Sequence, residues 1–210
     1  VPLITKADGT KFGKTEAGAV WLDPSKTSPL AFYQFWLNSA DADVYKFLRY
    51  FTFLPLEEID SIEAADLEAQ GRPQAQAVLA REATRLVHGE EGLAAALRIT
   101  EALFSGDPNQ LPESDFEQLR LDGMPSSELS LTDVSGKPLT SLLVECGMAK
   151  AGREIKDALG RNSVFINGRP QGAQDNMRSE EIFDVRHALF GRFFLVRLGK
   201  KKYHLFESVE

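Results

Sequence analysis

The chain has 210 residues, of which 43% are hydrophobic, enough for one large domain or two small ones with cores of their own. No apolar run approaches the roughly 18 residues that span a bilayer, and no stretch reads as a secretory signal, so no membrane partner is expected. The formal charge is −7, unevenly spread: residues 1–125 carry 11 basic and 20 acidic side chains, whereas residues 126–210 carry 13 and 11. That asymmetry fits either a polyanion binder at the C-terminal end or a solvated surface of mixed charge.

A single cysteine, Cys146, permits no intrachain disulfide and points to a reducing, cytoplasmic setting. The three histidines (His88, His187, His204) lie far apart with no cysteine cluster, so no metal site is expected.

The chain opens on Pro2-Leu3-Ile4, an Asp8-Gly9 turn, and then Lys11-Phe12-Gly13-Lys14-Thr15. Two lysines three apart around a glycine can swing onto a polyphosphate and neutralise charge as it develops. A solubilising surface hairpin would carry the same pair. A phosphate loop so close to residue 1 has no nucleotide-binding fold ahead of it, so the chain is expected to be the rear part of a larger enzyme.

From Val20 to Phe104 the pattern predicts five short helices packed as a bundle. Thr27-Ser28-Pro29 starts the first, and Asn38-Ser39-Ala40-Asp41 closes it and caps the second. In the second helix Val44, Phe47, Leu48 and Phe51 form an apolar stripe, which Leu54-Pro55-Leu56 breaks. Glu57 to Glu68 reads as a third helix, Arg72-Pro73 starts a fourth, and Glu90 to Phe104 a fifth. His88 is expected at a helix end, stabilised there by the C-terminal dipole; Trp21 and Trp36 read as packing residues.

Residues 105–137 change to Ser, Gly, Asp, Asn and Pro around one short helix (Glu113 to Leu121) and read as a linker. Beyond it a helix from Pro138 to Cys146 ends at Gly147, and a second from Lys150 to Leu159 stops at Gly160. Val164-Phe165-Ile166 is a strand leading into an Asn167-Gly168 hairpin turn. Phe193 to Leu198 and Tyr203 to Phe206 form a terminal hairpin.

The string from Pro2 to Thr15 resembles the mobile signature loop of class I aminoacyl-tRNA synthetases, in the variant typical of bacterial tyrosyl-tRNA synthetases. Val20-Trp21-Leu22-Asp23-Pro24, Phe32-Tyr33-Gln34-Phe35-Trp36, Asp41-Ala42-Asp43-Val44 and Leu86-Val87-His88-Gly89-Glu90-Glu91-Gly92 are similar to that family too. Phe12, Gly13 and Thr15 depart from its Lys-Met-Ser-Lys-Ser consensus, while Lys11 and Lys14 match both lysines.

The resemblance implies that the loop Lys11, Phe12, Gly13, Lys14 and Thr15 serves tyrosyl-adenylate formation, with Lys14 on ATP and Lys11 assisting. The intact enzyme would use ATP and Mg²⁺. No His-x-Gly-His element and no Rossmann-type unit occur here, so the fragment alone is expected to be inactive and to hold no cofactor. Its partner would be tyrosine tRNA. The parent would be a homodimer through its catalytic domain, and the fragment a monomer.

The implied fold is multidomain, α and then α+β. It comprises a loop remnant (1–20), an all-α helical anticodon-binding bundle (21–104), the linker (105–137) and a small S-four-like RNA-binding domain (138–210). An aspartate near the position of Asp41 would read guanine at the first anticodon base, because a carboxylate accepts from both N1–H and N2–H₂ of an unstacked base. A helix cap is the competing role for Asp41, and Asp43 is the competing reader. In the last domain Lys150, Arg153 and Lys156 at three-residue steps, with Arg161, Asn167 and Arg169, would contact tRNA. The run Ala149 to Lys156 matches the S-four pattern only in part. A general RNA-binding or ribosome-associated module without any link to synthetases is the alternative.

Overall fold

The computed structural model describes residues 4, 5, 7, 14, 15, 18–69, 71, 73–105, 107–200 and 202–209. Residues 1–3, the loop residues Lys11, Phe12 and Gly13, and the helix-starting Arg72 lie outside the described residues. Two compact units emerge, Val1–Arg98 and Ile99–Glu210.

In the first unit β1 (Lys14–Thr15) pairs antiparallel with β2 (Gly18–Ala19). Helix α1 (Pro29–Leu37) begins as its sequence dictates: Ser28 Oγ accepts from Ala31 N at 3.0 Å, Pro29 needs no donor, and Asn38 closes the helix. Helix α2 (Asp41–Phe51) starts after Ala40, which offers no side-chain cap, contrary to the expected capping by the Asn38–Asp41 stretch. Asp41 and Asp43 instead lie in its first turn, where the helix dipole favours negative charge.

Pro55 ends the break before α3 (Leu56–Glu68). The expected fourth and fifth helices are both present, as two arms of α4 (Ala75–Ser105) parted at Gly89, whose non-helical φ of 71° and ψ of −177° suit only glycine. Val44, Phe47 and Leu48 of the α2 stripe pack with Phe32, Trp36, Ile59, Leu79 and Leu93 in one core. Trp36 stands 5.0 Å from Phe51 and 6.1 Å from Phe47, ring centre to ring centre. Trp21 does not join this core. It is 49% exposed, with the Lys26 ammonium 4.5 Å above its ring.

The second unit is built on a five-stranded sheet of order β3-β7-β6-β4-β5. Its strands are β3 (Ser126–Ser130), β4 (Val164–Ile166), β5 (Arg169–Gln171), β6 (Phe193–Leu198) and β7 (Lys202–Val209), with β3 parallel to β7 and the other pairs antiparallel. Residues expected to form a linker are folded into this unit. Helix α5 (Glu113–Leu121) stacks Phe116 on Phe193 at 5.6 Å, and β3 extends the sheet.

On the opposite sheet face, helices α6 (Leu131–Val134), α7 (Leu139–Glu145), α8 (Gly152–Gly160) and α9 (Ser179–Ile182) surround a core that includes Leu142, Leu143, Ile155, Leu159, Val164, Ile166 and Phe194. Covering both faces explains why β6 reads Phe-Phe-Leu-Val with no polar alternation. The stop at Gly160 is displaced: Gly160 is still helical, and Asn162 adopts the left-handed φ of 51°. No helix among the described residues is long and apolar enough to cross a membrane.

Candidate nucleic-acid interface

In the first unit the two competing aspartates occupy different environments. Asp43 is 3% exposed, accepts from Ala7 N at 2.8 Å and lies 3.4 Å from the Lys46 ammonium. Its Oδ1 serves both contacts, and the side chain is withdrawn from solvent. Asp41 is exposed and caps nothing; its Oδ1 accepts from Gln76 Nε2 at 2.6 Å. Gln76 belongs to the first turn of α4, and Asp66 caps that turn by accepting from Gln74 N at 2.8 Å and Ala75 N at 3.0 Å. Asp66 also receives the Tyr45 hydroxyl at 3.1 Å, and burial together with this carboxylate pushes the Tyr45 phenol up to about 12. Sequence reasoning missed Gln76 because its partner lies far off in the chain and nothing local marks the residue.

Of the signature loop, Lys14 and Thr15 appear as β1 with backbones paired to Ala19 and Gly18. His88 stands at a helix end, as expected, directly before the break at Gly89. Its ring lies edge-on to Phe32 at 4.9 Å, and burial holds its pKa below the usual histidine range, which favours the neutral form over the charge that a helix C-terminus would stabilise. Cys146 packs half-buried beside the second core, and burial pushes its thiol up. Among the described residues no group of three or more His, Cys, Asp or Glu side chains could hold a metal ion.

In the second unit Arg153 and Lys156 project from the solvent face of α8, while Ile155 and Leu159 turn into the core. Arg153 is 92% exposed along its side chain, with Asp157 as a loose neighbour at 4.0 Å. Lys150 lies ahead of the helix rather than on its ridge, since Ala151 is the N-cap. Glu154 breaks the ridge and draws Lys202 of β7 to 2.9 Å. A bond from Gly199 N to Ser163 O at 2.8 Å brings the β6–β7 turn, with Lys200, beside the segment that carries Arg161. Exposed cations therefore border α8 from its start to its end.

Asn167 is the exception among the expected tRNA contacts. It is 8% exposed, donates to His187 O at 3.0 Å and accepts from Leu195 N at 2.8 Å. Both polar ends of its amide hold the turn, so it is a structural residue. Arg169, two residues on, stays exposed on β5.

The family described as tRNA synthetases class I (W and Y) matches residues 1–105, and the tyrosine-tRNA ligase SYY-like C-terminal domain matches residues 115–206. The chain belongs to the class I tRNA synthetases of this type. It is 51% identical over 206 residues to a tyrosine-tRNA ligase of Aliivibrio fischeri, covering 98% of this chain and 46% of that protein. Tyrosine-tRNA ligase 1 of Vibrio parahaemolyticus is 54% identical over 205 residues, with the same coverage of 98% and 46%. Among solved structures, a C-terminally truncated mitochondrial tyrosyl-tRNA synthetase of Aspergillus nidulans shares 37% identity over 43% of this chain and 25% of its own, with a TM-score of 0.39. The chain thus spans about half the length of the curated relatives it matches. Family membership removes the alternative of an RNA-binding module unrelated to synthetases.

Proposed function

We propose that this chain is the tRNA-recognition portion of a tyrosine-tRNA ligase, which as a whole enzyme joins tyrosine to its tRNA through tyrosyl-adenylate at the expense of ATP and with Mg²⁺. The observation that carries this reading is the succession of two matched regions, residues 1–105 from the synthetase class and 115–206 from the tyrosine enzyme's C-terminal domain. In the longer protein Lys11 and Lys14 neutralise phosphate charge on ATP. Within the fragment, the helical unit reads the anticodon through Asp41. The second unit, S-four-like in its two helices followed by a β4–β5 hairpin, grips phosphates with Lys150, Arg153, Lys156, Arg161 and Arg169.

Cationic side chains give affinity that falls with salt, and directional acceptors such as Asp41 give selectivity. The fragment acts as a monomer without adenylate-forming activity. Its parent is a cytoplasmic homodimer joined through the catalytic portion.

Filter binding of tyrosine tRNA and several unrelated tRNAs to the chain at two salt concentrations tests the reading. The expected result is a preference for tyrosine tRNA with a steep salt dependence. Equal affinity for all folded RNAs would overturn it.

A further inference from the structure

Gln76 is 6% exposed, and its Oε1 is buried without a hydrogen-bond partner among the described residues. A buried unpaired carbonyl is costly, and an apolar side chain of similar volume would avoid that cost. The amide's orientation is nevertheless fixed, because the Asp41 carboxylate only accepts and the NH₂ group must face it, at 2.6 Å. Gln76 is in turn immobilised: its helix start is capped by Asp66, and Asp66 is held by Tyr45 of the same helix that carries Asp41. The contacts close a circuit through α2, α3 and α4 that ends on one exposed carboxylate.

We propose that Gln76 is a positioning residue for base discrimination, holding the Asp41 carboxylate in the plane that meets two adjacent N–H donors of an unstacked guanine. The proposal rests on the reading of Asp41 given above and deepens it. Oδ1 keeps a second lone pair beside the Gln76 bond, and Oδ2 has no hydrogen-bond partner among the described residues. A fixed carboxylate therefore presents two parallel acceptors. Guanine offers two neighbouring donors to such a pair. Adenine and cytosine set a ring-nitrogen acceptor beside their amino group, and uracil flanks its single N–H with carbonyls. A carboxylate free to rotate would accept one donor from any of these, and the selectivity would shrink.

The test compares binding of the full chain to tyrosine tRNA transcripts carrying G, A, C or U at the first anticodon position. Gln76→Met keeps the volume and drops the amide, and Gln76→Glu keeps the shape but replaces the donor with an acceptor. Each is expected to compress the preference for guanine about tenfold while leaving affinity for the other three bases nearly unchanged. In an Asp41→Asn background the Gln76 substitutions should add nothing. If Asp41→Asn erases the preference and both Gln76 variants retain it, the positioning role is overturned and the base-reading role stands. If both Gln76 variants weaken all four transcripts equally, or fail to fold, Gln76 is a structural residue and the proposal is overturned. If Asp41→Asn itself leaves the ranking intact, the reading of Asp41 falls and the proposal falls with it.

Discussion

Gly92 lies so close to His88 that a Cβ built on the glycine would stand 2.6 Å from the histidine Cβ. In a regular helix two Cβ atoms four residues apart are roughly 6 Å from each other, and the bend at Gly89 closes that gap. Pro29 of α1 adds further atoms at 3.4 Å. Gly92→Ala must therefore displace an arm of α4 or α1, and it should cost about 1–3 kcal/mol of stability in the first unit. Gly89→Ala meets no atom within 4 Å, so its cost, again about 1–3 kcal/mol, is purely that of the backbone conformation. Urea unfolding followed by the fluorescence of the buried Trp36 measures both. Trimming Pro29→Ala should not rescue Gly92→Ala, since the closest obstacle is a Cβ that every residue except glycine possesses.

Asn167 gives a prediction that separates scaffold from reader. Its φ of 49° and its two side-chain bonds lock the β4–β5 turn to the 185–187 segment and to β6. Asn167→Ala loses both bonds and keeps the strained backbone, for a loss of about 2–3 kcal/mol. Asn167→Gly relieves the backbone and should lose less. Denaturant midpoints for the two variants should follow that order. Full stability in Asn167→Ala, combined with weakened tRNA binding, would return the residue to the interface.

His204 predicts how stability in the second unit varies with pH. Its Nε2 lies 2.8 Å from Ser127 Oγ, its ring sits 4.5 Å from Phe206, and its Nδ1 is buried without a hydrogen-bond partner among the described residues. Burial lowers its pKa, so the folded chain binds fewer protons here than the unfolded chain. Stability from this group is complete above the unfolded value of about 6.5 and declines as pH falls below it toward the folded value. Hydrogen-exchange protection factors of β6 amides, corrected for intrinsic rates, should drop as pH falls below about 6.5. His204→Phe should abolish that drop. An unchanged pH dependence would mean that another group controls the unit.

Much of this architecture is written locally. Ser28-Pro29 marks the start of α1 because cap and first-turn chemistry act within four residues, and Asn167-Gly168 marks a hairpin because both residues tolerate positive φ. What escaped the sequence is non-local. Strand β3 reads Ser-Ser-Glu-Leu-Ser, with Leu129 as its one buried residue, since it is a sheet edge whose order comes from parallel pairing with β7. The cluster of Arg192 with Glu113 (2.9 Å) and Glu117 (2.8 Å), which ties α5 to the start of β6, likewise joins distant parts of the chain. The same applies to the candidate site. Asp41 was legible as an exposed acid near a helix start, whereas its anchor Gln76 and the bond from Ala7 N to the buried Asp43 join parts of the chain too far apart for any local pattern to report.

Arg153 tests the basic edge most cleanly, because its loss removes charge without disturbing a core contact. The side chain is almost fully exposed, and its one acidic neighbour stands at the 4.0 Å limit of an ion pair. Exposed pairs of this kind contribute little to stability, so Arg153→Ala should leave the unfolding midpoint essentially unchanged. If the residue neutralises a phosphate, the plot of log affinity for tyrosine tRNA against log salt should lose about one unit of slope. Arg186 supplies the control. It is also exposed, but it already binds Asp184 through Nε at 2.8 Å and Nη2 at 2.6 Å, so Arg186→Ala should change the slope far less. Equal slopes for wild type and Arg153→Ala across the same salt range would remove Arg153 from the phosphate contacts.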